Sequence, residues 1–218
     1  MMKRTLTSIV AAIALVGSVS AQNYLLNNPD NKSYLGIRAG VDISSTAGAV
    51  VDTYGNGAGF TIGAIYNIPL WQNLYFEPGV HLFYDTFDYD FVDPESLPAF
   101  EEFDGSIRNL GFRIPFNFGY HFDFTDDISV SLFTGPVLNT NLTAKTHFDG
   151  IKEFNHSIME NGFKRFDMQW DFGVSMTYAH NYYVAITGAV GMTKAYNPSV
   201  DLTGFRRNTC NISIGYNF

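Results

Sequence analysis

The chain ends on a stretch that faces two different solvents. From Arg207 to Phe218 apolar residues take alternate positions, Cys210, Ile212, Ile214, Tyr216 and Phe218, while Arg207, Thr209, Asn211, Ser213, Gly215 and Asn217 fill the places between them. A period of two puts these sets on opposite faces of a β-strand. One such strand suits any half-buried sheet. Its company is more restrictive, because the same alternation recurs over residues 34–44, 59–68, 74–85, 109–120, 128–139, 166–178 and 182–193.

The apolar faces of these segments are nearly uniform. The cleanest sets Leu110, Phe112, Ile114, Phe116 and Phe118 against Asn109, Gly111, Arg113 and Asn117. The opposite faces collect Arg38, Asp42, Glu77, His81, Asp85, Arg113, Asp167, Asp171 and Arg207. So many ionisable groups do not form the core of a soluble barrel, where each unpaired charge is costly. They do suit a narrow polar lumen, with glycines on the same face making room for long side chains and with Arg38, Glu77, Arg113 and Asp171 paired as a plug. The expected fold is all-β: an eight-stranded antiparallel transmembrane β-barrel, an up-and-down meander. Its connections alternate in length, short over 69–73, 123–127 and 179–181 and long over 45–58, 86–108, 140–165 and 194–206. Outer-membrane barrels alternate periplasmic turns and extracellular loops in this way. Aromatic residues make up 16 % and charged residues 16 % of the chain, the latter well under the usual figure of about 25 %.

Residues 1–21 read as a signal peptide: Lys3 and Arg4, an apolar run from Ile9 to Val16, then small residues up to Ala21. That run is shorter than the roughly 20 residues of a spanning helix, so residues 22–218 are expected to form one barrel domain integral to the outer membrane. The single cysteine, Cys210, is expected to be a small apolar side chain on the outward face. A net charge of −8 argues against nucleic acid as a partner. The expected partners are outer membrane lipids and lipopolysaccharide, the barrel-assembly machinery during insertion, and a protein at the extracellular loops. No cofactor is expected.

The second long connection interleaves carboxylates with aromatics: Asp88, Tyr89, Asp90, Phe91, Asp93, Glu95, Phe100, Glu101, Glu102, Phe103 and Asp104. Two readings stand. The loop is either a binding face for a basic partner or for divalent cations, or a solvated loop whose aromatics dip into the interface. Its spacing lacks the glycine of an EF-hand. In the third long connection His147, Asp149, His156 and Ser157 carry the alternative of a lipid-modifying enzyme, since Ser and His groups near the outer rim can reach a lipid ester. No nucleophile motif surrounds Ser157, and a charged lumen is a poor acyl pocket, so the expectation is no enzyme. Gly55-Asn56-Gly57-Ala58-Gly59 lacks the lysine and helix of a phosphate loop. His121 and His180, at turns beside aromatics, are expected in the interfacial girdle.

The stretch Arg113-Ile114-Pro115-Phe116-Asn117-Phe118-Gly119-Tyr120, followed by Ser131-Leu132-Phe133-Thr134-Gly135-Pro136, resembles the mid-barrel signature of the PorT-like outer membrane β-barrel family of Bacteroidetes. The resemblance runs over about residues 33–218 and implies an eight-stranded outer-membrane barrel. Some members of that family are linked to secretion or gliding machinery. The resemblance implies no catalytic residue. Pro115 and Pro136 each remove a ladder donor, which predicts a bulge or an edge of the membrane band there.

Overall fold

The computed structural model describes residues 32–47, 55–91, 103–148, 157–159, 162–196 and 204–218. The expected signal peptide lies outside them. Eight strands run in chain order: β1 (Tyr34–Ala47), β2 (Gly57–Trp71), β3 (Leu74–Phe91), β4 (Phe103–Asp123), β5 (Ile128–Phe148), β6 (Phe166–Tyr178), β7 (Tyr182–Gly191) and β8 (Arg206–Asn217). Each pairs antiparallel with the next, and β8 closes on β1, so the sheet is a closed barrel with no edge. Closure pairs each strand on both sides around the ring, as a hydrocarbon solvent demands of backbone groups. Phe218 donates its N–H to the carbonyl of Leu35 at 2.9 Å and so extends the closing ladder to the last residue.

Burial follows the two-residue period. On β1 Arg38, Asp42 and Ser44 are buried while Leu35, Ile37, Val41 and Ile43 are exposed; on β6 Asp167, Gln169 and Asp171 are buried while Phe166, Met168, Trp170 and Phe172 are exposed. The barrel is therefore apolar outside and polar inside. An apolar belt of that extent is incompatible with water, and no helix among the described residues is long and apolar enough to cross a membrane. The strands form the hydrocarbon-facing wall.

The structure corrects the strand limits. β3, β4 and β5 are 18, 21 and 21 residues long, about twice the 9–11 that cross a membrane. β6, β7 and β8 have only 13, 10 and 12. The connections expected over 86–108 and 140–165 are thus strand at their ends: β3 pairs with β4 as far as Phe91↔Phe103, and β4 with β5 as far as Gly105↔Phe148. The reason lies in the solvent. Past the membrane the outward face becomes polar, so the pattern that marks a strand within the lipid is inverted.

One register shift, between Leu110 and Gly111, lets the ladder pass from Asn141 to Thr143 on β5 and leaves both Leu142 and Thr143 exposed. This bulge sets the inward parity of Ala144 and Thr146. Pro115 and Pro136 sit opposite Val137 and Trp170 without a register shift, so neither produces the expected bulge. At the short-turn end Ala179 and His180 both take positive φ, 49° and 61°, in a tight three-residue connection where Asn181 donates its N–H to the Tyr178 carbonyl at 3.2 Å.

Candidate functional site: the closed lumen and its cap

The lumen is layered along the barrel axis. At the short-turn end a vestibule of about 760 Å³ is lined by Tyr34, Asn73, His121, Asp126, Asn181 and Asn217 among others. Above it lie stacked rings. Tyr75 packs on His121 at 4.1 Å between centroids, and the imidazole Nδ1 is 2.6 Å from the Ser131 hydroxyl. The Arg38 guanidinium carbon lies over the Tyr183 ring, 3.7 Å from its centroid, and Asn67 donates to Glu77 Oε2 at 3.3 Å. Gly119 permits the Tyr75 stack, since a Cβ there would collide with the phenol ring.

A cavity of about 60 Å³ follows, lined by Arg38, Glu77, His81, Arg113 and Asp171 among others. It has room for only a few water molecules. Beyond it a chain of ion pairs crosses the barrel. Arg113 pairs with Asp42 at 3.3 Å and Asp85 at 3.6 Å, and Arg207 pairs with Asp85 at 3.4 Å and Asp167 at 2.8 Å. Both guanidiniums flank the Phe83 ring, 5.2 and 4.7 Å from its centroid. The carboxylates receive further donors: Asn211 reaches Asp42 at 2.8 Å, and Asn139 and Asn141 reach Asp167 at 2.9 and 2.8 Å. Charges this buried persist only when paired and hydrogen-bonded in this manner.

The long-loop end is closed by an apolar cluster of Phe87, Ile107, Ala144, Ile158, Phe163, Ala195 and Phe205, with Met159 and Tyr196 packed against it. Phe87 and Ile107 come from the projecting strands, while Ile158, Phe163, Ala195 and Phe205 come from the connections. Phe163 bridges to Tyr196, and Ala195 donates its N–H to the Phe205 carbonyl at 2.9 Å, which ties the connections to one another; Ile158 donates its N–H to the Ala144 carbonyl of β5 at 3.0 Å.

The structure brings Arg38, Asp42, Glu77, His81, Asp85, Arg113, Asp167, Asp171 and Arg207 together in one lumen. Arg38 stacks on Tyr183, Glu77 accepts from Asn67, and Arg113 pairs with Asp42 and Asp85. Of the acidic stretch, Asp88 is an exposed position of β3, while Tyr89, Asp90 and Phe91 continue β3, and Phe103 and Asp104 open β4. Asp93, Glu95, Phe100, Glu101 and Glu102 lie outside the described residues. Of the Ser–His group, Ser157 is exposed and bridged to Lys145, and His147 sits on β5 opposite Ser106. Asp149 and His156 lie outside the described residues. Among the described residues no group of three or more His, Cys, Asp or Glu is placed to hold a metal ion.

Sequence reasoning missed the cap and the inward rings Phe83 and Phe133. The signal was parity: Phe83 and Phe87 share the inward register of Asp85.

A family described as outer membrane protein beta-barrel domain matches residues 12–196. The chain belongs to this family. It is an integral outer-membrane protein, with its short turns on the periplasmic side and its cap outside. No curated protein matches the sequence. Similar solved structures include OprG from Pseudomonas aeruginosa, 12% identical, covering 85% of this chain and 96% of that one with a TM-score of 0.45. Neisserial surface protein A is 16% identical, with 85% and 97% covered and a TM-score of 0.40. Ail of Yersinia pestis, solved in complex with the heparin analogue sucrose octasulfate, is 15% identical, with 85% and 97% covered and a TM-score of 0.37.

Proposed function

We propose that this barrel conducts nothing and catalyses nothing, and that it presents its projecting strands β3, β4 and β5 as a surface for a protein partner. The observation that carries this reading is the double closure of the lumen. An ion-pair layer from Asp42 to Asp167 fills its cross-section, and the apolar cluster around Phe87 and Phe205 stoppers it from outside. What remains accessible to the exterior includes the extension, on which Asp88 is exposed, and the sequence that joins β3 to β4 interleaves carboxylates with aromatics. Aromatics interleaved in sequence with acidic groups suit a basic partner. The resemblance of residues 113–120 and 131–136 to the PorT-like signature supports a partner within a secretion or gliding assembly.

In planar bilayers the purified protein is expected to give no stable conductance; large, steady currents would refute the closed lumen. Excising residues 92–102 should leave folding intact, read as the heat-dependent gel shift of barrels, and abolish recovery of a cross-linked partner from intact cells. Equal recovery with and without that segment would overturn the surface assignment. Turnover of labelled phospholipid or lipopolysaccharide acyl groups that disappears in Ser157→Ala would favour the enzyme instead.

A further inference from the structure

The cations of the described chain are sorted by place. Arg38, Arg113 and Arg207 are buried in the lumen, and Lys32 lines the periplasmic vestibule. The others, Arg108, Lys145, Lys164, Arg165, Lys194 and Arg206, are all exposed and all at the extracellular end. Each follows the last lipid-facing apolar position of its strand. Arg108 comes after Leu110, Lys145 after Leu142, Lys164 and Arg165 before Phe166, Lys194 after Met192, and Arg206 beyond Cys210 and Asn208. They occupy an arc over β4 to β8, and the equivalent outward positions on β1, β2 and β3 are Ser45, Ala58 and Thr86.

Within the arc like charges are set side by side. Arg108 is the register partner of Lys145, and Lys194 bridges to Arg206. Like charges directly opposite are destabilising, and the arc has no internal remedy. The ion pairs among the described residues all involve Arg113 or Arg207, and none involves a cation of the arc. Asp88, exposed on β3 beside Arg108, is the nearest described carboxylate, and it forms no ion pair with the arc. The level of the arc is that of the membrane surface, because no polar strand position separates most of these cations from the hydrocarbon band. Long Lys and Arg stems can lie along that band with their heads in the phosphate layer.

We propose that this arc is a binding site for the phosphates of outer-leaflet lipid, of the phosphorylated-saccharide kind, held against β4 to β8. The inference rests on the outer-membrane placement and is independent of any protein partner at the tip. A soluble partner would approach the projecting extension, whereas the arc lies at its root, where lipid headgroups already are.

The test uses the full chain in phosphatidylcholine nanodiscs, titrated at low salt with lipopolysaccharide, with enzymatically dephosphorylated lipopolysaccharide, and with inorganic phosphate. Wild-type protein should prefer the phosphorylated lipid. The double variants Arg108→Gln/Lys145→Gln and Lys194→Gln/Arg206→Gln should each bind it about 30-fold more weakly, at about 1 kcal/mol per cation. Lys32→Gln should bind as wild type. If a double variant fails the heat-shift test of folding, Lys194→Gln alone is used, with an expected loss of about five-fold on the same basis. Unchanged binding by the charge-reduced proteins overturns the proposal. So does equal affinity for the dephosphorylated lipid, or displacement by inorganic phosphate at the lipid's own concentration, which would assign the arc to a soluble anion.

Discussion

Replacing Arg207 with alanine should cost the barrel about 3–5 kcal/mol, the penalty for breaking a buried ion pair by removing one side of it. Arg207 is 1% exposed, it bonds Asp167 through two contacts of 3.1 and 2.8 Å, and it shares Asp85 with Arg113. Its loss strands Asp167 with only the amides of Asn139 and Asn141. Arg207→Lys should fall between wild type and alanine, since one ammonium keeps the charge but does not reach Asp85 and Asp167 through two separate nitrogens, as Nη1 and Nη2 do. Adding Asp167→Asn to Arg207→Ala should recover part of the loss, because the stranded charge goes with it. The temperature of the heat-dependent gel shift in detergent measures all of these. An alanine variant that shifts at the wild-type temperature would show that the ion-pair layer is not what holds the lumen together.

The second large effect belongs to the outer face. Ile212 is 49% exposed and sits between Val41 on β1 and Ile186 on β7, in the middle of the apolar band. Arginine there should cost about 2–4 kcal/mol, the figure for a cation on the lipid face near the midplane. The same substitution at Asn208, nearer the extracellular rim, should cost under about 1 kcal/mol. Since Ile212 lies on the strand that closes the barrel, the Ile212→Arg protein should also accumulate less in the outer-membrane fraction. Equal stability of the two variants would mean that the membrane band has been placed wrongly.

The sequence by itself determined the strand number, the meander and which residues of each transmembrane segment face lipid. These are local properties: a strand between two solvents repeats every two residues, and Leu110 to Phe118 or Phe166 to Met176 carry that repeat without reference to any other strand. The pairing of the lumen charges was of another kind. Asp42 is on β1, Asp85 on β3, Arg113 on β4 and Arg207 on β8, so which carboxylate meets which guanidinium depends on strand stagger around the closed barrel. Parity says only that a side chain points inward. The expectation of a plug built from Arg38, Glu77, Arg113 and Asp171 therefore fixed no individual pair; the folded barrel lays Arg38 on Tyr183 and joins Arg113 to Asp42 and Asp85. The extent of β3, β4 and β5 was also left to the tertiary structure. Inside the membrane the apolar face of a strand points out to lipid; above it water surrounds the barrel, and the apolar residues Phe87, Ile107 and Phe205 turn inward to build the cap. The period of two continues through that boundary, but its meaning reverses, because what a side chain avoids depends on which solvent surrounds the fold at that height.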